Sequence, residues 1–423
     1  MNEAFLQHIW KHRLFTSQDL RTITGEPVLI INPGRHNTDA GPDFFNARLK
    51  IGEQEWAGNV EIHVKSSLWN VHKHNVDAAY NNIILHVVYE HDKEIKTPVQ
   101  GVIPTMELKG LIDTALLDKY QNLEASMQPI ACANKLSGIE GITIDLWLER
   151  LLVERLEKKS DRIHTFIAGF TNNIEEGFYV QLARNFGFSV NADPFELLAK
   201  SLPLVVLAKH KQSLFQIEAL LFGQAGMLED EIQDDYFLKL KSEYNFLKTK
   251  YSLKPIEKHL WKFFRLRPAN FPTIRISQFA GLIYKSNKLL SQIIDDPTFE
   301  HIYNLFDIEA ADYWKNHYTF GKPSVESVKH LGKSAIENII INTITPFLFT
   351  YGRERANEIL CDKALLLLEK VSAERNTIIN QWQALKMPVN NAANTQSLIH
   401  LYNEYCRPKK CLSCNIGIKL LRT

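Results

Sequence analysis

The stretch AGPDFFNARLKIGEQEWAGNVEIHVKSSLWNVHKH, residues 40–74, decides how the first hundred residues are read. From Phe44 to Ile51 large apolar and polar residues alternate, Gly52-Glu53-Gln54 turns the chain, and Trp56 to Val64 returns. Side chains two apart on a strand point the same way, so the pattern predicts an antiparallel hairpin. On the returning strand Val60, Ile62 and Val64 make one apolar face, which needs a packing partner. Glu61, His63 and Lys65 share the other: an acid, an imidazole and an ammonium in a row. Asp43 opens the first strand behind Gly41-Pro42, and counting back from the turn places it near the end of the return strand, where Lys65 lies.

Working outward, Glu3 to Phe15 predicts a short helix with Phe5, Ile9 and Trp10 on one face. Pro27 to Ile31 reads as a brief strand closed by the turn signal Asn32-Pro33-Gly34. Residues 67–81 suggest another short helix, and Ile83 to Tyr89 a buried strand. A further strand could run through Val99 to Ile103, within the polar stretch Asp92 to Pro104. From about Gly110 strand signals nearly vanish. Helical spacing takes over at Ile144–Ile163, Pro194–Leu207, Leu214–Leu221, Glu229–Leu247, Ile276–Leu290, Ser324–Leu348 and Glu354–Lys370, with no clean solenoid period. The expectation is an α+β chain: an N-terminal αβββαβ core over residues 1–108, then a larger irregular α-helical domain over 109–423.

Composition narrows the function classes. The 423 residues carry a net charge of +1, so no overall field draws in nucleic acid or an anionic membrane, and any nucleic-acid binding must come from a local patch. Hydrophobic residues at 45% and charged residues at 23% suit a soluble globular protein. No charged segment leads into an apolar core at the start and no 18-residue apolar run occurs, so neither a signal peptide nor a membrane span is expected, and a bacterial cytoplasm is the default compartment. Five cysteines do not make a disulfide scaffold in a chain this long.

The polar face of the hairpin carries the chemistry. An acid at one strand start, facing an acid-x-base on the next strand, can hold a divalent cation against a phosphodiester. Carboxylate oxygens suit Mg²⁺ or Mn²⁺, and a base two residues beyond the acid can act on the attacking water. The order helix, three strands, helix, strand, with Pro42-Asp43 and Glu61-Ile62-His63, resembles the core of the PD-(D/E)XK nuclease superfamily. By that resemblance Asp43 and Glu61 are metal ligands, His63 stands at the usual lysine position with Lys65 one strand step beyond, and Glu3 matches the acid sometimes found on the first helix. Across nearly its full length the chain is similar to an uncharacterised bacterial family, domain-of-unknown-function family 2851, through Gly41-Pro42-Asp43-Phe44, Gly58 to His63, Trp69-x-x-His72-x-His74, Asn270-Phe271-Pro272 and the terminal cysteines. That family supplies no activity. A rival chemistry uses the histidines: His63, His72 and His74 with Asp43 could form a zinc hydrolase site, with Asp77 close by in sequence and His86 on the next strand.

Two further segments stand out. Cys406, Cys411 and Cys414 follow the spacing C-x4-C-x2-C, which suits zinc or an iron–sulfur cluster, with Cys132 or His400 as a fourth ligand. His259 to Arg275 interleaves basic and aromatic residues, making Arg265, Arg267 and Arg275 candidate nucleic-acid contacts. The leading expectation is metal-dependent phosphodiester hydrolysis on nucleic acid. The alternative is a catalytically inactive nuclease fold that serves as a nucleic-acid or protein interaction module.

Overall fold

The computed structural model describes residues 1–97, 101–170 and 173–422. An N-terminal curled sheet is followed by a larger helical region, as the residue patterns predict. Helix α1 spans Glu3–His12; Asn2 accepts the Phe5 amide to cap it, and Arg13 ends it in the left-handed region. Five strands follow: β1 Val28–Asn32, β2 Phe44–Ile51, β3 Gln54–Lys65, β4 Ile83–Glu90 and β5 Thr105–Glu107. They lie in sequence order across one sheet, and a two-residue strand, Arg35–His36, pairs with β2 beside β1. The pairs β1–β2 and β2–β3 are antiparallel, whereas β3–β4 and β4–β5 are parallel. Val99, in the suggested strand Val99–Ile103, lies outside the described residues; Gly101–Val102 forms a small separate ribbon with Lys96–Thr97.

Two local features set the site. The hairpin runs in register from Ile51↔Gln54 to Ala47↔Gly58, then shifts so that Phe44 faces Val60. Asn46 sits at that bulge with φ +57°, a conformation asparagine tolerates better than most residues. Gly58 is required where β3 meets β4, because a Cβ there would lie 2.4 Å from Ile84 Cγ2. Parallel strands β3 and β4 need a crossover between them. The single helix expected over 67–81 is instead a one-turn helix, Leu68–Val71 (α2), and two 3₁₀ turns, His74–Val76 and Ala78–Tyr80. Lys73 in the left-handed region breaks the helical run.

The two faces of the sheet are covered differently. Phe5, Ile9 and Trp10 of α1 pack with Phe44, Leu49, Val60, Ile62, Leu85, Val87 and Met106. That is the apolar face the alternation predicts. A separate cluster of Trp69, Tyr80, Ile83, Ile95 and Ile103 forms under the crossover. Glu61 and His63, at 4% and 1% exposure, are therefore buried and not a solvated polar face.

Contacts along the chain define two compact units, Met1–Trp147 with Leu401–Thr423, and Leu148–His400. The division falls near residue 147, not at 108, and the C-terminal segment belongs to the first unit. The reason is visible in the core: Leu116, Tyr120 and Leu123 of a helix at Thr114–Ala125 (α3), together with Leu421, pack with the sheet residues. The second unit is helical, centred on residues such as Phe186, Phe195, Phe222, Phe237, Phe279 and Trp314. Its helix limits move where proline intervenes. Residues 194–207 split into Ala192–Ser201 and Leu204–Lys209 around Pro203, and Pro272 starts a helix four residues before the expected Ile276. Lys333–Ile339 passes through a π turn, Ile340–Ile344, into Thr345–Glu354, where Pro346 removes one amide donor. Ser324, expected to start that helix, instead follows a short ribbon of His317–Thr319 and Lys322–Pro323. Among the described residues no helix is long and apolar enough to cross a membrane.

Candidate metal centre

The bulge in β2 brings Asp43 beside Glu61. The Asp43 amide donates to Glu61 Oε2 at 3.1 Å, and the Ile62 amide donates to Asp43 Oδ2 at 2.9 Å. The sequence count placed Asp43 near Lys65; the hairpin register alone sets it opposite Ile62, and the bulge moves it one residue further, to Glu61. Lys65 is exposed at the end of β3 with its backbone paired to Glu90. Four residues along a strand are about 13 Å, so Lys65 is remote from Glu61. Helix α1 supplies Gln7, whose Nε2 donates to Asp43 Oδ1 at 2.7 Å. Glu3, one turn earlier, raises the proton affinity of both carboxyls through its charge.

The imidazoles form a chain from the sheet to the surface. His63 Nδ1 lies 2.9 Å from His86 Nε2, and His63 Nε2 lies 3.1 Å from His72 Nδ1. His72 is exposed, His74 half-buried and His86 wholly buried. His74 stacks on Tyr80, with ring centroids 3.8 Å apart. Its Nε2 is 3.2 Å from Glu61 Oε1, close enough for an ion pair but without hydrogen-bond alignment. Glu61 Oε1 is also 3.7 Å from His63 Nε2. Among the described residues, His63, His72 and His74 form the group whose ligand atoms all lie within 4.8 Å of one another.

Electrostatics sort these groups. Burial, the neighbouring Glu61 and Glu3 push the Asp43 carboxyl up to about 8, against the Ile62 amide and the charge of His74, which lower it. Burial and then Glu3 push Glu61 up to about 8, against the Asp43 amide. Such a pair retains a proton near neutral pH. Burial first, then His86, His74 and His72, drive His63 far below the ordinary value, so its ring is neutral. His86 is lowered to about 3 by burial, His74 and His91. Neutral imidazoles beside carboxylates are metal-ready donors. Among the described residues, Trp69 Nε1, His74 Nε2 and His86 Nδ1 are buried here without a hydrogen-bond partner. The set Asp43, Glu61, His63, His72 and His74 mixes oxygen and nitrogen donors. It fits Mn²⁺ or Zn²⁺ better than Mg²⁺, which prefers oxygen.

The remaining sequence candidates lie elsewhere in the fold. Asp77 caps the 3₁₀ turn Ala78–Tyr80 through the Ala79 amide at 2.9 Å, and its charge favours protonation of His74. Cys132, Cys406, Cys411 and Cys414 all fall within the first unit, whereas His400 belongs to the second, 3.6 Å from Glu154. Arg265 is exposed and stacked over Phe264, and Arg267 is exposed. Arg275 is enclosed: it is 7% exposed, bonds Gln278 Oε1 and Asn270 Oδ1, and lies over the Phe188 ring. Its guanidinium is thus the most enclosed of the three candidate arginines. Sequence reading missed Gln7, although its spacing four residues after Glu3 on the helix face was available as a signal. It also left His86 without a role. Nothing among the curated proteins and nothing among the solved structures matches this chain. One family does match, over residues 3–377, and its description reads Protein of unknown function (DUF2851). The chain belongs to that family.

Proposed function

We propose that the sheet unit is a metal-dependent hydrolase that cleaves phosphodiesters in nucleic acid. The observation that carries this reading is the convergence of Asp43, held by the Ile62 amide, and Glu61, held by the Asp43 amide, with His63, His72 and His74 beside them. The element order helix, three strands, crossover, strand, with an acid before the second strand and an acid-x-histidine on the third, is consistent with a nuclease-like core. A bound Mn²⁺ or Zn²⁺ would supply Lewis acidity toward a phosphoryl oxygen. The protein's own groups divide the remaining work. His63 presents Nε2 to the centre while its Nδ1 shares a hydrogen bond with His86 Nε2, which fixes the ring. His63 is thus better suited to hold the ion than to remove a proton from water. That second task falls to whichever carboxylate oxygen of the pair the ion leaves free. Gln7 and the Ile62 amide hold Asp43 in place.

The test measures fragment release from labelled single- and double-stranded DNA and RNA, with Mn²⁺, Zn²⁺, Mg²⁺ or chelator. Wild type is expected to cut at least one substrate with Mn²⁺ or Zn²⁺, and Asp43→Asn is expected to cut at least about 100-fold more slowly. Asparagine keeps an acceptor for the Ile62 amide, so the fold survives. If wild type cuts none of them in any metal, the interaction-module reading replaces this one.

A further inference from the structure

The C-terminal segment of the sheet unit folds as a run of reverse turns that gathers cysteines. Cys406 ends a π turn, Tyr402–Cys406, and the Lys409 amide returns to Cys406 O at 3.1 Å while Lys410 donates to Tyr405 O at 2.8 Å. Cys411–Ser413 forms a 3₁₀ turn, and Cys414 leads directly into the terminal helix Asn415–Arg422. Gly417 is required for this closure, since a Cβ would lie 2.2 Å from the Cys411 carbonyl oxygen. Cys132, far upstream, begins the 3₁₀ turn Ala133–Gly138 and packs with Cys411 against the sheet core.

All four are free thiols and none is fully exposed. Three of the four sulfurs feel others of the set. After burial, Cys414 and Cys411 push Cys132 upward, and Cys414, Cys132 and Cys411 do the same to Cys406. Donors also point at a sulfur: the Ile416 and Gly417 amides and the Trp147 side chain all favour the thiolate of Cys414. Packing alone needs no such donors, whereas N–H groups aimed at sulfur are a means of tuning a metal-bound thiolate.

We propose that Cys132, Cys406, Cys411 and Cys414 hold an iron–sulfur cluster that pins the C-terminal segment to the sheet unit. Spacing distinguishes a cluster from a single ion. Four thiolates on one tetrahedral zinc sit about 3.5–4 Å apart, since each lies roughly 2.3 Å from the metal. Among the described residues no three of these sulfurs come within 4.8 Å of one another. A cluster spreads its thiolates over two or more irons, so no three need close on one metal, and C-x4-C-x2-C with one remote cysteine is a spacing used for that purpose. Loading replaces each S–H with an S–Fe bond and releases the thiol protons; iron and sulfide are the co-reactants and no net oxidation of the protein is involved.

The experiment uses the full chain purified without oxygen, with iron, acid-labile sulfide and zinc measured beside the visible spectrum. Iron and sulfide in similar amounts are expected, with a visible absorption that dithionite bleaches. Cys132→Ser and Cys414→Ser lose most of both, while Cys361→Ser, at the cysteine outside the group, retains them. Zinc without sulfide, a metal-free chain, or full retention in Cys132→Ser overturns the proposal. If the serine variants fail to fold, the iron and sulfide content of the wild type decides the matter. These readouts do not depend on any nuclease activity.

Discussion

Glu61 in the sheet unit and Glu218 in the helical unit are both buried glutamates, and burial raises the proton affinity of each. Their neighbours differ. Tyr236 and Trp314 donate to Glu218, Trp314 Nε1 at 3.1 Å, and Ser277 adds a third bond. Around Glu61 stand a second carboxyl, a third on α1 and two imidazoles, and the contact with His74 lacks hydrogen-bond alignment. A buried acid whose neighbours are all donors is a structural tie. One whose neighbours are other acids and metal-type ligands is incomplete without an ion or a proton. A raised proton affinity alone does not tell the two apart; the partner list does.

The largest effect separating them is on stability. Glu218→Ala strands three donors in the helical core, each costing about 1–3 kcal/mol, so unfolding should become easier by about 3 kcal/mol or more. For a unit of this size that lowers Tm by roughly 6–12 °C in calorimetry. A change under about 1 kcal/mol would mean that the donors find other partners and that the contrast is false.

Glu61→Gln inverts the pattern. Stability should move by no more than about 1 kcal/mol, while metal-dependent cleavage falls at least about 100-fold. Asp43 and Glu61 have folded-state values near 8, above those of the unfolded chain. In the metal-free protein they therefore contribute stability that is complete below about pH 4 and lost as pH rises through about 8. An ion needs the carboxylates ionised, so the stability gain on adding Mn²⁺ or Zn²⁺ should grow between about pH 6 and pH 8 and approach about 2.7 kcal/mol at a hundredfold excess over Kd. A gain that is flat with pH, or equal in Glu61→Gln, breaks the comparison.

The smallest effects sharpen its edge. Lys65→Ala and Asp77→Ala should each leave cleavage nearly unchanged. Lys65 lies about 13 Å along the strand from Glu61. Asp77 serves as a turn cap, whose loss costs about 1 kcal/mol. A tenfold drop in rate for either would move that residue into the centre.

Much of the sheet was legible because it follows from alternation: Phe44 to Ile51 and Ile83 to Tyr89 are strands for the reason their patterns suggest. The pairing of Asp43 with Glu61 was half legible. Their shared neighbourhood follows from the hairpin register, which sets Asp43 opposite Ile62 and away from Lys65, but the step to Glu61 comes from one extra residue at Asn46, and a bulge leaves only a faint trace in sequence. Histidines 72 and 74 were visible as a pair. Their approach to His63 depends on a crossover made of turns, which helical spacing over 67–81 concealed. Arg275 looked like a surface cation because charge alone does not reveal that Asn270, Gln278 and Phe188 enclose it. Cys132 joins its partners across most of the chain, and no local pattern encodes such a distance.

The return of Leu421 to the sheet core has a consequence for synthesis. A ribosome delivers the strands, then the whole helical unit, and only then the residues that close the first core. At roughly 5–20 residues per second, the interval between residue 147 and residue 421 lasts on the order of tens of seconds. For that time the nascent sheet carries an unsealed apolar edge while the helical unit can already fold. Chaperone capture of nascent chains stalled before residue 401, and its decline once the terminal helix has emerged, would be the cellular signature of this chain order.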